Sequence, residues 1–209
     1  MIAAGVPVAW LVARSAGLVA LALFALAVAM GLAFSTRLLG TRRGKMVLGW
    51  HQTIMWTALA MLVVHMVAVG LDPILNFGPL AIVVPGVASW RTLPIAGGIV
   101  TFWIMLALAI SFHVRRRIGQ RRWRLLHYAS FAGFTIGLYH ALGVGSDLTG
   151  ARGLVFAGVA VAPVVWLVFA RILLPRPGAR PAPASRPAPV PVAATQAPQR
   201  AGDREVVHA

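Results

Sequence analysis

Five apolar stretches, near residues 10–34, 46–71, 92–114, 125–146 and 153–174, set the terms on which this chain can fold. Their charge-free runs, 15–34, 46–71, 92–114, 125–146 and 153–170, contain no Asp, Glu, Lys or Arg. A helix needs about 20 mainly apolar residues to cross the hydrocarbon core of a bilayer. Each run is therefore read as a transmembrane helix, and the fold class is an all-α membrane protein, a bundle of about five spans. The composition agrees: hydrophobic residues make up 59% and charged residues only 11% of the chain, which does not describe a soluble globule. A sixth apolar stretch, 77–88, is short and broken by Gly78, Pro79, Pro85 and Gly86, so it reads as interfacial or re-entrant. The first span has no basic segment ahead of it and no convincing small-residue cleavage site, and is expected to stay as an anchor.

The net charge of +15 would suit a nucleic-acid binder if the basic residues formed one soluble face. They are divided among loops instead. Arg37, Arg42, Arg43 and Lys45 lie between the first two spans, and Arg115, Arg116, Arg117, Arg121, Arg122 and Arg124 between the third and fourth. Basic loops face the cytoplasm. The alternate loops, with Asp72 and Arg91 and with Asp147 and Arg152, are nearly neutral. The amino terminus is thus expected outside and the carboxyl terminus inside a bacterial-type plasma membrane, with no nucleic-acid partner. Residues 175–209, rich in Pro, Ala and Arg, read as a disordered, partly extended cytoplasmic tail without assigned chemistry.

Four of the six histidines fall inside two of the spans: His51 and His65 in the second, His127 and His140 in the fourth. An ionisable side chain inside a bilayer is costly and usually marks a partner, an ion path or a cofactor. Spans two and four run in the same direction, so their histidines meet at matching depths. His51 and His127 lie just past Lys45 and Arg124, near the inner face, whereas His65 and His140 each lie seven residues before an outer aspartate. The separations, 14 and 13 residues, place the two levels about 20 Å apart at 1.5 Å per residue. That distance is too great for one zinc or copper site, whose ligands must cluster. It suits two irons, each between two imidazoles. The chain has no cysteine, hence no covalent haem attachment and no iron–sulfur cluster, so the cofactor expected is haem b, in two copies. With both axial positions filled, the task is electron transfer.

The rotational fit is uneven. Fourteen residues return to within roughly 40° of one helix face, but thirteen miss it by roughly 140° on ideal geometry. Ser130, Gly133 and Gly137 form a small-residue stripe between His127 and His140. It suits either a flat macrocycle lying against the backbone or the close helix packing of a G-x-x-x-G pattern. Trp56, Phe131 and Phe134, between the two levels, are read as packing, and His113 and His208 as interfacial or solvated. The haem-free alternative is a multi-pass scaffold or transporter whose histidines make interhelical hydrogen bonds or carry protons.

Residues 37–174 resemble the ferric reductase-like transmembrane family, which includes ferric reductases, the membrane part of NADPH oxidases and the haem subunit of the bacterial methionine sulfoxide reductase system. His51 and His65 on one helix, His127 and His140 on the next but one, and the run Arg121-Arg122-Trp123-Arg124-Leu125-Leu126-His127 carry the resemblance. It implies a transmembrane haem domain over 1–174 with an inner haem iron on His51 and His127 and an outer one on His65 and His140. Many members have six spans rather than five, and the reductases usually continue into FAD and NADPH domains, whereas this sequence has no G-x-G-x-x-G motif. The expected donor is a separate flavoprotein or quinol, and the acceptor an extracytoplasmic flavin, molybdenum or ferric centre. Haem propionates need cationic partners; Arg43, Lys45 and Arg124 on the inside and Arg14, Arg91 and Arg152 on the outside are candidates, with Arg14 and Arg124 singled out. For any one of them taken alone, topology and snorkelling are the better account.

Overall fold

A computed structural model describes residues 8–35, 44–145 and 150–173. The tail at 175–209, Asp147, Arg43 and the other remaining positions lie outside the described residues. Seven helices follow in order: α1 (Val8–Ser35), α2 (Gly44–Gly70), α3 (Pro79–Val83), α4 (Thr92–Ile118), α5 (Gln120–His127), α6 (Ala129–Val144) and α7 (Ala151–Leu173). All belong to one compact unit, Met1–Leu174.

Four of them, α1, α2, α4 and α7, contain segments long and apolar enough to cross a membrane. Their outward faces are apolar as well: Leu11, Val67, Ile110 and Trp166 are each more than half exposed. So much contiguous apolar surface is untenable in water and ordinary against lipid. The protein is a multi-pass helical membrane protein.

The expected fourth span, 125–146, is not one helix. The chain breaks at Tyr128, between α5 and the 16-residue α6. At the break the Tyr128 amide donates to the Leu125 carbonyl (3.2 Å) and the Phe131 amide to the Tyr128 carbonyl (3.1 Å), both three residues back. Such 3₁₀ bonding turns the chain by about 120° per residue rather than about 100°. It advances His140 relative to His127 in the sense that the 13-residue interval requires. A straight-helix reading could not contain that correction.

α1 packs along α2, and α4 along α6, with α7 against α1. Both principal pairs are antiparallel: Gly17 faces His65 and Gly31 faces His51, while Gly98 faces His140 and Gly133 faces Ile104. Between the histidine levels lies the tightest packing, around Phe24, Ala58, Met105 and Phe134. Phe24 and Phe134 meet edge to face with ring centres 5.8 Å apart. Apolar burial has little driving force inside lipid, so close van der Waals fit must hold the helices together. The G-x-x-x-G stripe serves that fit. A Cβ on Gly133 would stand 3.0 Å from Ile104 Cγ2, and one on Gly137 3.1 Å from Thr101 Cγ2. Thr101 also donates its hydroxyl to the Gly133 carbonyl (3.2 Å). Gly133→Leu is expected to push α4 from α6 and destabilise the bundle by about 1–3 kcal/mol, measurable as a lowered unfolding temperature in detergent.

The segment 77–88 contains only the short α3, whose Val83 carbonyl accepts the Trp103 indole N–H (2.9 Å). Before it, Asp72 closes the end of α2: its Oδ1 accepts the amides of Ile74 (2.8 Å) and Leu75 (3.3 Å). Gly119, at φ 89°, makes the tight reversal from α4 into α5, a backbone region that favours glycine.

Candidate functional site

His51, His65, His127 and His140 meet in two pairs. His51 on α2 faces His127 at the end of α5, and His65 on α2 faces His140 on α6; the ring centres are 6.2 Å apart in each pair, with interplanar angles of 64° and 83°. The parallel course of α2 and α5–α6 pairs them as the depth argument expects. Two imidazoles bound to opposite sides of one metal, with metal–nitrogen bonds of about 2 Å, have ring centres roughly 6 Å apart.

The rings of the outer pair are set by the backbone of neighbouring helices. His65 Nδ1 lies 2.7 Å from the Ala13 carbonyl on α1, and His140 Nδ1 lies 2.8 Å from the Pro94 carbonyl on α4. A carbonyl only accepts, so Nδ1 carries the proton in each ring and Nε2 keeps its lone pair. This is the tautomer a metal-ligating imidazole needs, with the second nitrogen anchored to fix ring orientation.

Glycines make this approach possible. A Cβ on Gly17 would stand 2.8 Å from His65 Nδ1, and one on Gly98 only 2.6 Å from His140 Nδ1. In both cradles the glycine lies four residues after the accepting carbonyl, Ala13 then Gly17 and Pro94 then Gly98. A third copy, Ala27 then Gly31, faces His51, although there the nearest ring atom is 3.8 Å from an added Cβ and His51 Nδ1 does not complete a hydrogen bond. Gly17 and Gly31 are 14 residues apart, the same interval that separates His51 and His65 on the antiparallel α2. That matched interval was present in the sequence and is the signal by which α1 could have been recognised as part of the site.

A cavity of about 260 Å³ opens beside the His65–His140 pair, lined by His65, His140, Gly98, Gly137, Trp10 and Arg14. Its wall is mostly apolar. Arg14 also lies 4.0 Å over the Trp10 ring, so the structure brings this candidate to the outer pair. Arg91, the second outer candidate, donates to the Gly143 carbonyl. Arg124 is exposed on α5. Arg43 lies outside the described residues, as do the side chains of Lys45 and Arg152.

Around the His51–His127 pair three buried nitrogens, His51 Nδ1, His127 Nδ1 and Trp123 Nε1, have no hydrogen-bond partner among the described residues. Burying such groups without partners is costly, so each orphan asks for an acceptor from a bound group or water. His113 is exposed but packs against Trp56 and Phe112, with ring centres 6.0 and 5.9 Å away. Trp56 is about half exposed, not part of the layer between the pairs, whereas Phe134 is buried in it.

Among the described residues no three His, Asp or Glu side chains converge. A centre built from three or four protein ligands is not formed there, whereas axial ligation asks for two per iron. The donor set and ring spacing at both pairs are compatible with a haem iron between two imidazoles, and Nδ1 anchoring and close glycine clearance are found at His65 and His140. No known protein family matches the chain, and no curated protein or solved structure matches it either.

Proposed function

We propose that the protein is a bis-histidine, dihaem b-type membrane cytochrome, similar to the ferric reductase-like transmembrane family, that carries electrons across a bacterial-type plasma membrane. The observation that carries this reading is the recurrence of one geometry at two depths: two facing imidazole pairs, each with centres 6.2 Å apart. Haem supplies a reversible one-electron carrier, and two axial imidazoles leave it no open coordination position.

The chain's own residues divide the work. His51 and His127 hold the inner iron, and His65 and His140 the outer iron. The Ala13 and Pro94 carbonyls fix the tautomer and rotation of the outer ligands, while Gly17 and Gly98 leave room for them. Arg14, lining the outer cavity, supplies a cation for a propionate there. In this reading α5 and α6 together make a fifth crossing, and the basic loops support an outer amino terminus and an inner carboxyl terminus. Electrons come from a separate flavoprotein or quinol and leave to an extracytoplasmic flavin, molybdenum or ferric acceptor.

Replacing His51, His65, His127 or His140 singly by alanine tests the pairing. Each variant should bind one haem per chain where the parent binds two, and the two members of a pair should lose the same spectral component. Loss of both components from every variant, or of neither, contradicts the assignment.

The haem-free scaffold or transporter rests on a specific observation as well. His65 and His140 already make interhelical hydrogen bonds to carbonyls, and such bonds alone give intramembrane histidines a structural use. That reading leaves the facing of the two ring pairs without a purpose.

A further inference from the structure

Three of the four histidines face the same backbone device, a carbonyl followed four residues later by a glycine. His127 does not. On α4, fourteen residues past Pro94 and Gly98, the corresponding positions are Leu108 and Phe112. The Leu108 carbonyl already accepts the buried Ser111 hydroxyl (2.7 Å), and a phenyl ring stands where the other sites have hydrogen. His127 Nδ1 is buried and makes no hydrogen bond.

In its place is an aromatic support. Trp123, one helical turn earlier on α5, stacks on the His127 ring with centres 5.0 Å apart and planes 26° from parallel. Phe112 braces Trp123 edge-on (6.3 Å, 68°), and the Arg115 guanidinium lies 3.8 Å over the Phe112 ring. An axial imidazole can rotate about its metal bond unless something fixes its plane. A nearly parallel indole held from behind does so without touching either ring nitrogen.

We infer that Trp123 is the positioning residue for His127, setting the plane of the inner ligand by stacking, as the Ala13 and Pro94 carbonyls set the outer ligands by hydrogen bonds. The inference rests on the dihaem reading.

The test uses the full-length, haem-loaded protein and follows low-spin ferric electron paramagnetic resonance together with a potentiometric titration. Loss in His51→Ala identifies the inner component, and loss in His65→Ala the outer one. Trp123→Leu should shift the g values and potential of the inner component only, with haem content kept, and Trp123→Phe should restore them. In haem-free protein, Trp123→Leu should raise the rate at which diethyl pyrocarbonate modifies His127 severalfold and leave His140 unchanged. An inner component and a His127 modification rate both unmoved by Trp123→Leu would overturn the inference, as would equal shifts in both components. A wild-type protein that binds no haem defeats the dihaem reading instead, and the modification rates still decide whether Trp123 holds His127.

Discussion

Gly98→Val is expected to remove the outer haem and leave the inner one, halving the haem content of the purified protein. A Cβ at this position would lie 2.6, 2.7 and 2.9 Å from three atoms of the His140 ring. The Pro94 carbonyl accepts from the same Nδ1 that the Cβ would crowd, so the ring cannot give way without losing that hydrogen bond. Gly17→Val acts on the same centre through His65, where the corresponding distance is 2.8 Å. Gly31→Ala is the internal control. Its nearest neighbour, His51 Cε1, would be 3.8 Å away, an ordinary contact, and both haems should remain. Haem quantified per chain across the three variants checks the series. Equal haem loss in all three would show that glycine acts through helix packing in general and not through ligand clearance.

The second large effect is expected from His65→Gln. A glutamine amide can reach toward the Ala13 carbonyl and donate to it as Nδ1–H does. The interhelical hydrogen bond and the approximate volume are kept, so the bundle should fold with little change in unfolding temperature. An amide does not replace imidazole as an axial ligand. The outer haem should be lost, taking the haem content from about two per chain to about one. The haem-free reading expects the same stability, because it needs only the hydrogen bond, and no Soret band in either the parent or the variant. A stable variant that keeps two haems would contradict the role given to His65.

Much of this architecture was legible in the residues. Charge-free runs of helical length gave the helical membrane class because lipid offers the backbone no hydrogen-bonding partner except the helix itself. The pairing of His51 with His127 and of His65 with His140 followed from depth alone, since helices separated by one span run parallel. The break at Tyr128 was not legible. No proline or glycine marks it, and the two i−3 hydrogen bonds there show only in the coordinates. The double meaning of Gly133 and Gly137 needed coordinates: both spacing arguments were sound, and contact with Ile104 and Thr101 shows packing against α4.

The role of α1 was missed for a different reason. Its glycines carry no chemistry, so attention to ionisable and aromatic side chains passes over them. What distinguishes them is an absence of atoms opposite a ring on another helix. Gly17 and Gly31 repeat the 14-residue interval of His51 and His65, and in antiparallel neighbours a shared interval between small and large residues is a sign of contact. Arg14, by contrast, stood out as a charge inside an apolar run, and it lines the outer cavity. Arg124 had the same sequence rationale from its place beside His127, but its side chain is exposed.

The most direct test of the central claim is the haem content of the intact chain, purified in detergent after expression with ample haem supply. The reduced-minus-oxidised spectrum should show b-type bands, and extracted haem should amount to two per folded chain. A monodisperse, helical preparation with no Soret band and no extractable haem would contradict the cytochrome and leave a membrane bundle whose histidines serve packing or proton transfer.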